Sequence, residues 1–310
     1  MKIKREYIVL ATLILAISLY LIFRSTNKMQ YELPRLADMQ AGDVDRLLIT
    51  HGQDTLNLSK SGSEWKILPE QYPADKDQVA QMIDHLVNLS LADLVSESSS
   101  YKRYELDDVS RITVTAYDGS TVLRQCDVGK SASSYQYSYV RVPGDSRVFT
   151  AQGDIRSAFD KDKEALRDKL VLSFETDTIS IINAESSGRS VSLNKRIIPD
   201  RNAEGQESES QTVVQWETTE GEVWDTGKVD QLLGTLSRLD CSEYVTDGSQ
   251  TGEPFFSISL TGDKEYSLTL YEPADDKYPG ASSGSDYLFL LSSWQGDDIS
   301  GFLDDPAEQE

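Results

Sequence analysis

The sequence predicts an α+β fold: an N-terminal transmembrane helix followed by two tandem repeats, each an antiparallel sheet packed on one amphipathic helix. Three observations predict it. First, Asp75–Leu91 (DKDQVAQMIDHLVNLSL) and Asp225–Cys241 (DTGKVDQLLGTLSRLDC) superpose at a constant offset. Val79, Met82, Ile83, Leu86 and Leu89 fall on Val229, Leu232, Leu233, Leu236 and Leu239, the spacing of a helix with one buried face. Second, short alternating runs separated by turn residues surround both helices in the same order. Third, Tyr7–Phe23 (YIVLATLILAISLYLIF) carries no charge and no proline.

That apolar run is at the short end of what crosses a hydrocarbon core of about 30 Å. Lys2, Lys4 and Arg5 precede it, and Arg24 and Lys28 follow. No small-x-small cleavage pattern follows it closely, so an uncleaved signal anchor over 7–23 is expected. No cysteine follows it, which excludes a lipoprotein anchor. The basic residues 1–6 are expected in the cytoplasm and the body outside. Residues 24–43, polar and containing Pro34, read as a tether.

The first repeat is expected over 44–159. Arg46–His51, Thr55–Lys60 and Glu64–Leu68 alternate as strands of a meander, with Trp65 on its inner face. Asp75 is placed to cap the helix, and Gln78 to close a capping box. Val95–Tyr104 reads as a polar link. Arg111–Tyr117 and Thr121–Val128 form a hairpin about Asp118-Gly119, and Tyr135–Val142 with Arg147–Thr150 form another.

A charged connecting helix is expected over 160–172, then a second repeat over 173–303 and an acidic tail over 304–310. Thr178–Asn183 and Arg189–Lys195 are strands, and Thr212–Thr218 carries Trp216, the counterpart of Trp65. Asp225 caps the second helix. Phe255–Leu260 matches RITVTAY, Glu265–Tyr271 returns, and Asp286–Leu291 matches YSYVRV. Ile155 and Phe159 echo Ile299 and Leu303. Pro199–Gln211 and Glu272–Asp286 read as long loops.

The formal net charge is −22. A chain so acidic is repelled by nucleic-acid phosphates, so no nucleic-acid partner is expected. Anionic headgroups repel the body for the same reason. Cys126 and Cys241 fall at unrelated positions of the repeat, so two buried thiols are expected rather than a disulfide framework.

The motifs of common chemistries are missing. There is no HExxH, no zinc-ligand spacing, no GxSxG and no phosphate loop. Of the two histidines, His85 lies beside the helical stripe where the other copy has Thr235. Asp275, Asp276 and Asp286 lack the ligand alternation of a calcium loop. Tyr135, Tyr137 and Tyr139 are either a half-buried sheet face or an aromatic binding surface. No catalytic residue, cofactor site or metal site is predicted, and binding residues are left open.

Several short motifs follow in order: Pro73-Ala74-Asp75, Tyr104-Glu105-Leu106-Asp107, Val128-Gly129-Lys130, Tyr139-Val140-Arg141 and Leu166-Arg167-Asp168-Lys169. In this order the chain resembles the bacterial family catalogued as domain of unknown function 4340, most clearly over Val44–Phe174. Members usually carry glycine where this chain has Glu105. The resemblance implies an accessory role beside ABC-type transporters, including gliding-motility-like systems, with no catalytic residue to carry over. The expected function is therefore a membrane-anchored, extracytoplasmic, non-catalytic accessory or binding protein. Its expected partners are the bilayer, through the N-terminal helix, and ABC transporter membrane subunits. The alternative is a cell-envelope hydrolase acting on wall or lipid material.

Overall fold

A computed structural model describes residues 12–20, 31–133, 135–186, 188–201, 207–245 and 252–304. The expectations for residues 1–11, 21–30 and 305–310 lie outside the described residues. Residues 12–20 are helical. Among the described residues no helix is long and apolar enough to cross a membrane. The body divides between Arg167 and Asp168 into two units, each with its own apolar core.

In the first unit the strands are β1 (Arg46–His51), β2 (Asp54–Ser61), β3 (Glu64–Leu68), β4 (Tyr72–Pro73), β5 (Leu91–Ser96), β6 (Ile112–Asp118), β7 (Thr121–Ser131), β8 (Tyr137–Arg141) and β9 (Val148–Gln152). They form one antiparallel sheet in the order β4-β3-β2-β1-β6-β7-β8-β9-β5. Helix α1 (Lys76–Val87) follows β4 at one edge and delivers the chain to β5 at the other. Two short helices, α2 (Ile155–Phe159) and α3 (Lys163–Leu166), end the unit.

The second unit opens with β10 (Leu170–Ser173), which pairs with β15 (Arg238–Asp240) in a separate ribbon. Its sheet comprises β11 (Ile181–Ser186), β12 (Arg189–Arg201), β13 (Glu207–Thr218), β14 (Val223–Trp224), β16 (Glu243–Tyr244), β17 (Pro254–Thr261), β18 (Glu265–Tyr271), β19 (Lys277–Ser282) and β20 (Ser285–Ser292). The order is β14-β13-β12-β11-β17-β18-β19-β20-β16. Helix α4 (Thr226–Leu236) again joins one edge of the sheet to the other, and α5 (Ser293–Ser300) ends the unit. Strand for strand, this is the order of the first sheet.

Alternation sets which side chains enter each core. Leu58, Leu47 and Ala116 form one inward row across β2, β1 and β6, and Leu193, Ile182 and Leu260 form its counterpart. The helices close these faces. Burial alternates identically, residue for residue, over 78–90 and 228–240. Trp65 and Trp216 are both buried, each opposite a lysine, Lys60 or Lys195.

Several expectations require correction. The polar link after α1 begins as β5, because α1 ends beside the edge strand β9 and the next residues pair with it. The connecting helix over 160–172 is helical only at Lys163–Leu166. There Arg167 turns extended and bridges Ala74, and the apolar run Leu170-Val171-Leu172 pairs as β10. Asp286–Leu291 lies in β20, the counterpart of β9 and not of the YSYVRV strand. The counterpart of that strand is β19, hidden in sequence because Pro279, Gly280 and Ser282 disguise its alternation. Within Pro199–Gln211 the described residues 199–201 and 207–211 are strand, since β12 and β13 pair as far as Arg201 and Glu207. The capping box at α1 does not form: Leu166 O accepts from the Asp75 amide, and Gln78 Nε2 donates to Asp75 Oδ2 and Ala165 O.

The tether is corrected as well. From residue 31 the chain lies along the first unit. Tyr31 donates to Asp93 Oδ1 at 3.1 Å, Leu33 and Leu36 pack on the core, and Met39 is buried within it. The guanidinium of Arg124, itself buried, donates to Ala37 O in this strap and to Leu86 O at the end of α1. A cation at a helix C-terminus meets the carbonyls that the last turn leaves without partners.

Candidate functional site

The ends of the β1–β2 and β3–β4 hairpins and the 159–163 segment enclose a cleft of about 670 Å³ in the first unit. Ile49, Leu56, Leu68 and Phe159 supply an apolar floor, and charged side chains supply the rim. His51 Nδ1 lies 3.2 Å from Asp160 Oδ1, and Arg156 Nε lies 3.4 Å from Asp160 Oδ2. Lys163 Nζ lies 2.7 Å from Glu70 Oε1, while Lys161 Nζ donates to Gln78 Oε1. The hydrogen bond from Lys163 holds the Glu70 carboxyl below the usual carboxylate range, and Glu70 in turn raises the Lys163 ammonium. Each partner thus favours the charged form of the other.

A second set of side chains gathers the family motifs. The loop 104–107 lies over β7, where a Cβ on Gly129 would meet Tyr104 O at 2.2 Å. Only glycine admits that approach. The Tyr104 and Tyr139 rings are 4.9 Å apart, and with Leu106 and Val148 they make a small separate core. Asp127 accepts from Arg141 at 2.6 Å and from Thr113 at 2.7 Å, and Arg111 Nε stands 3.9 Å away. Arg141 also stacks over Tyr101 at 4.5 Å. The remaining motifs meet elsewhere in the unit, where Ala74 bridges Arg167 and Arg167 lies 3.8 Å over the Tyr72 ring. These motif residues thus take part in packing and pairing within the first unit.

In the second unit a depression of about 440 Å³ lies on the sheet face carrying Asn183, Ser192, Ser257, Ser259, Ser267 and Thr269. These residues stand opposite one another across β12, β11, β17 and β18. Apart from Glu185 its lining is uncharged.

The residues singled out in sequence disperse. His51 lines the cleft, while His85 is half-buried on α1. Tyr139 is in the small core, but Tyr135 precedes β8, is 79% exposed and adopts a φ of 57°. The three tyrosines are therefore no continuous strip. Asp275 and Asp276 occupy a tight turn, with Asp286 in β20. Among the described residues no group of three or more His, Cys, Asp or Glu could hold a metal ion. Cys126 and Cys241 are buried thiols. Arg124 was missed, yet its inward parity with Cys126 and Val128 on β7 marks it as a buried charge.

Fold and sites together define a protein of two sheet-and-helix units with one strand order. The family profile described as domain of unknown function (DUF4340) matches residues 65–254, more than half of the chain, and the chain belongs to that family. No curated protein and no solved structure matches it.

Proposed function

We propose that this chain is a single-pass, membrane-anchored accessory protein with an extracytoplasmic, non-catalytic body that binds a partner in an ABC-type transporter complex. One observation supports the non-catalytic reading: the family-motif residues are engaged in packing and ion pairs, with Gly129 close against the Tyr104 carbonyl and Arg141 donating to Asp127.

Anchoring is supported by the uncharged run over 7–23 and its basic flanks. Within it Leu13, Ile14, Leu15, Ile17, Leu19 and Tyr20 are all exposed on a helix, a surface that water disfavours and lipid accepts. The transporter association comes from the family resemblance alone. Among the described residues the strap already contacts the first unit at Tyr31, eight residues after Phe23, so the first unit would sit within roughly 30 Å of the bilayer.

Purification of the full-length chain in a gentle detergent tests both parts. Resistance to alkaline extraction and recovery of transporter membrane subunits are expected. Release by alkali would remove the anchor, and recovery of no transporter subunit would remove the accessory role.

A further inference from the structure

The cleft of the first unit has the build of a small-ligand site. All its lining belongs to that unit, and its volume of about 670 Å³ lies within the range of such sites. Leu56 and Leu68 stand in the lining only half-buried, so its floor keeps apolar surface open. The His51–Asp160 and Glu70–Lys163 ties join the hairpin ends to the 159–163 segment. A cleft tied on both sides is shaped before any ligand arrives, which lowers the ordering cost of binding.

Its charges do not cancel. Four carboxylates line it, Asp54, Glu70, Asp160 and Asp162, against two lysines. Each lysine is already answered. Lys163 pairs with Glu70, while Lys161 donates to Gln78 Oε1 at 2.5 Å and its charge favours the Asp75 carboxylate. Asp160 is answered by His51 and Arg156. Among the described residues Asp54 and Asp162 form no ion pair. Asp54 is exposed, and Asp162 accepts from the Ala165 amide at 2.7 Å. The second unit shows that the fold does not require an acid at this corner. Where β1 and β2 set His51 opposite Asp54, β11 and β12 set Ser186 opposite Arg189 in the same register. The strand pairing is kept and the charge is reversed.

We infer that the cleft binds a small organic cation with an apolar body, its ammonium group drawn to Asp54 and Asp162 and its hydrocarbon laid on Leu56 and Leu68. The unanswered carboxylates select for positive charge and repel an anion. The open leucine surface rewards a hydrocarbon body, because covering it removes apolar area from water. A bare metal ion finds too few ligands, since among the described residues no group of three or more His, Cys, Asp or Glu could hold one. Binding here requires neither the anchor nor a transporter, so it goes beyond the accessory role and can fail separately from it.

The test uses the full-length chain in a non-ionic detergent and three probes: 4-phenylbutylammonium, 4-phenylbutanoate and butylammonium. Titration calorimetry against a detergent blank reads their binding. The first probe is expected to bind about tenfold more tightly than the second, which reverses the charge, and than the third, which lacks the ring. Asp54→Asn is expected to weaken it about threefold, and Asp54→Arg, which installs the residue of the second unit, about tenfold. Asp230→Asn, on the exposed face of α4, removes the same charge from the second unit and is expected to change nothing. Should Asp54→Arg alter the circular dichroism, Asp54→Asn against Asp230→Asn decides alone. No binding of 4-phenylbutylammonium, equal or tighter binding of 4-phenylbutanoate, or equal losses in Asp54→Asn and Asp230→Asn overturns the proposal. The last of these would show that the cation answers only to the net charge of the chain.

Discussion

Glu105 and Arg156 are joined at 3.6 Å, and Glu105 holds the left-handed backbone conformation with φ 55° and ψ 39°. It occupies the position where the family resemblance implies glycine. A side chain there is strained by about 1 kcal/mol or more, and the Arg156 contact, with Glu105 43% exposed, offsets at most part of it. Glu105→Gly is expected to raise stability by about 0.5–1 kcal/mol, read from the urea midpoint. A lower midpoint would show that the ion pair outweighs the strain.

Gly129 should tolerate nothing larger. A methyl group there meets the backbone carbonyl of Tyr104, which cannot move without displacing Leu106 and Tyr139 from the small core. Gly129→Ala is expected to cost about 2–3 kcal/mol. Thermal unfolding would check this, and an unchanged midpoint would mean that the 104–107 loop is not held against β7.

Arg124 clamps the strap. Arg124→Met removes the donors to Leu86 O and Ala37 O, and a cost of about 2–4 kcal/mol is expected. Hydrogen exchange should rise across residues 31–40 more than in α1. Equal protection in the variant would assign the strap to Leu33, Leu36 and Met39 alone.

At Asp75 burial pushes the carboxyl up, but hydrogen bonds from the Gln78 amide, the Gln78 side chain and the Asp77 amide outweigh it, so its pKa is lowered. A depressed carboxylate contributes stability above its unfolded pKa of about 3.9, and the contribution fades as pH falls through the folded value. Asp75→Ala is expected to cost about 1 kcal/mol at pH 7 and less below about pH 4. Urea titrations across that range would show the difference narrowing. A constant difference would mean that the carboxylate charge contributes nothing at this cap.

Burial pushes the Cys126 thiol up to about 12. Reaction of Cys126 with a thiol reagent at pH 8 is expected only at the rate of unfolding, followed by peptide mapping. Labelling within seconds in the native state would show that β7 opens locally.

Much of the fold was legible because its signals are local. The shared stripe of Val79 to Leu89 and Val229 to Leu239, the capping aspartates and the hairpin turns at Gly62 and Gly119 depend on residues a few positions apart. β5 and β19 were not legible, because their strand character comes from neighbours: β5 exists where α1 ends beside β9, and β19 lies between β18 and β20. The candidate cleft was hidden for a similar reason, since His51 and Asp160 are far apart in sequence.

By itself the sequence determined the duplication, the two buried helical faces, the acidic surface and the apolar N-terminal run, because composition and periodicity are properties of neighbours along the chain. Only the tertiary structure decided that 31–43 is a strap, that Arg124 holds it, and that β12 and β13 go on pairing past the reach of β11 and β14. Those depend on which distant backbone groups find partners and which are left exposed, and hydrogen bonding across the fold, not pattern along it, settles that.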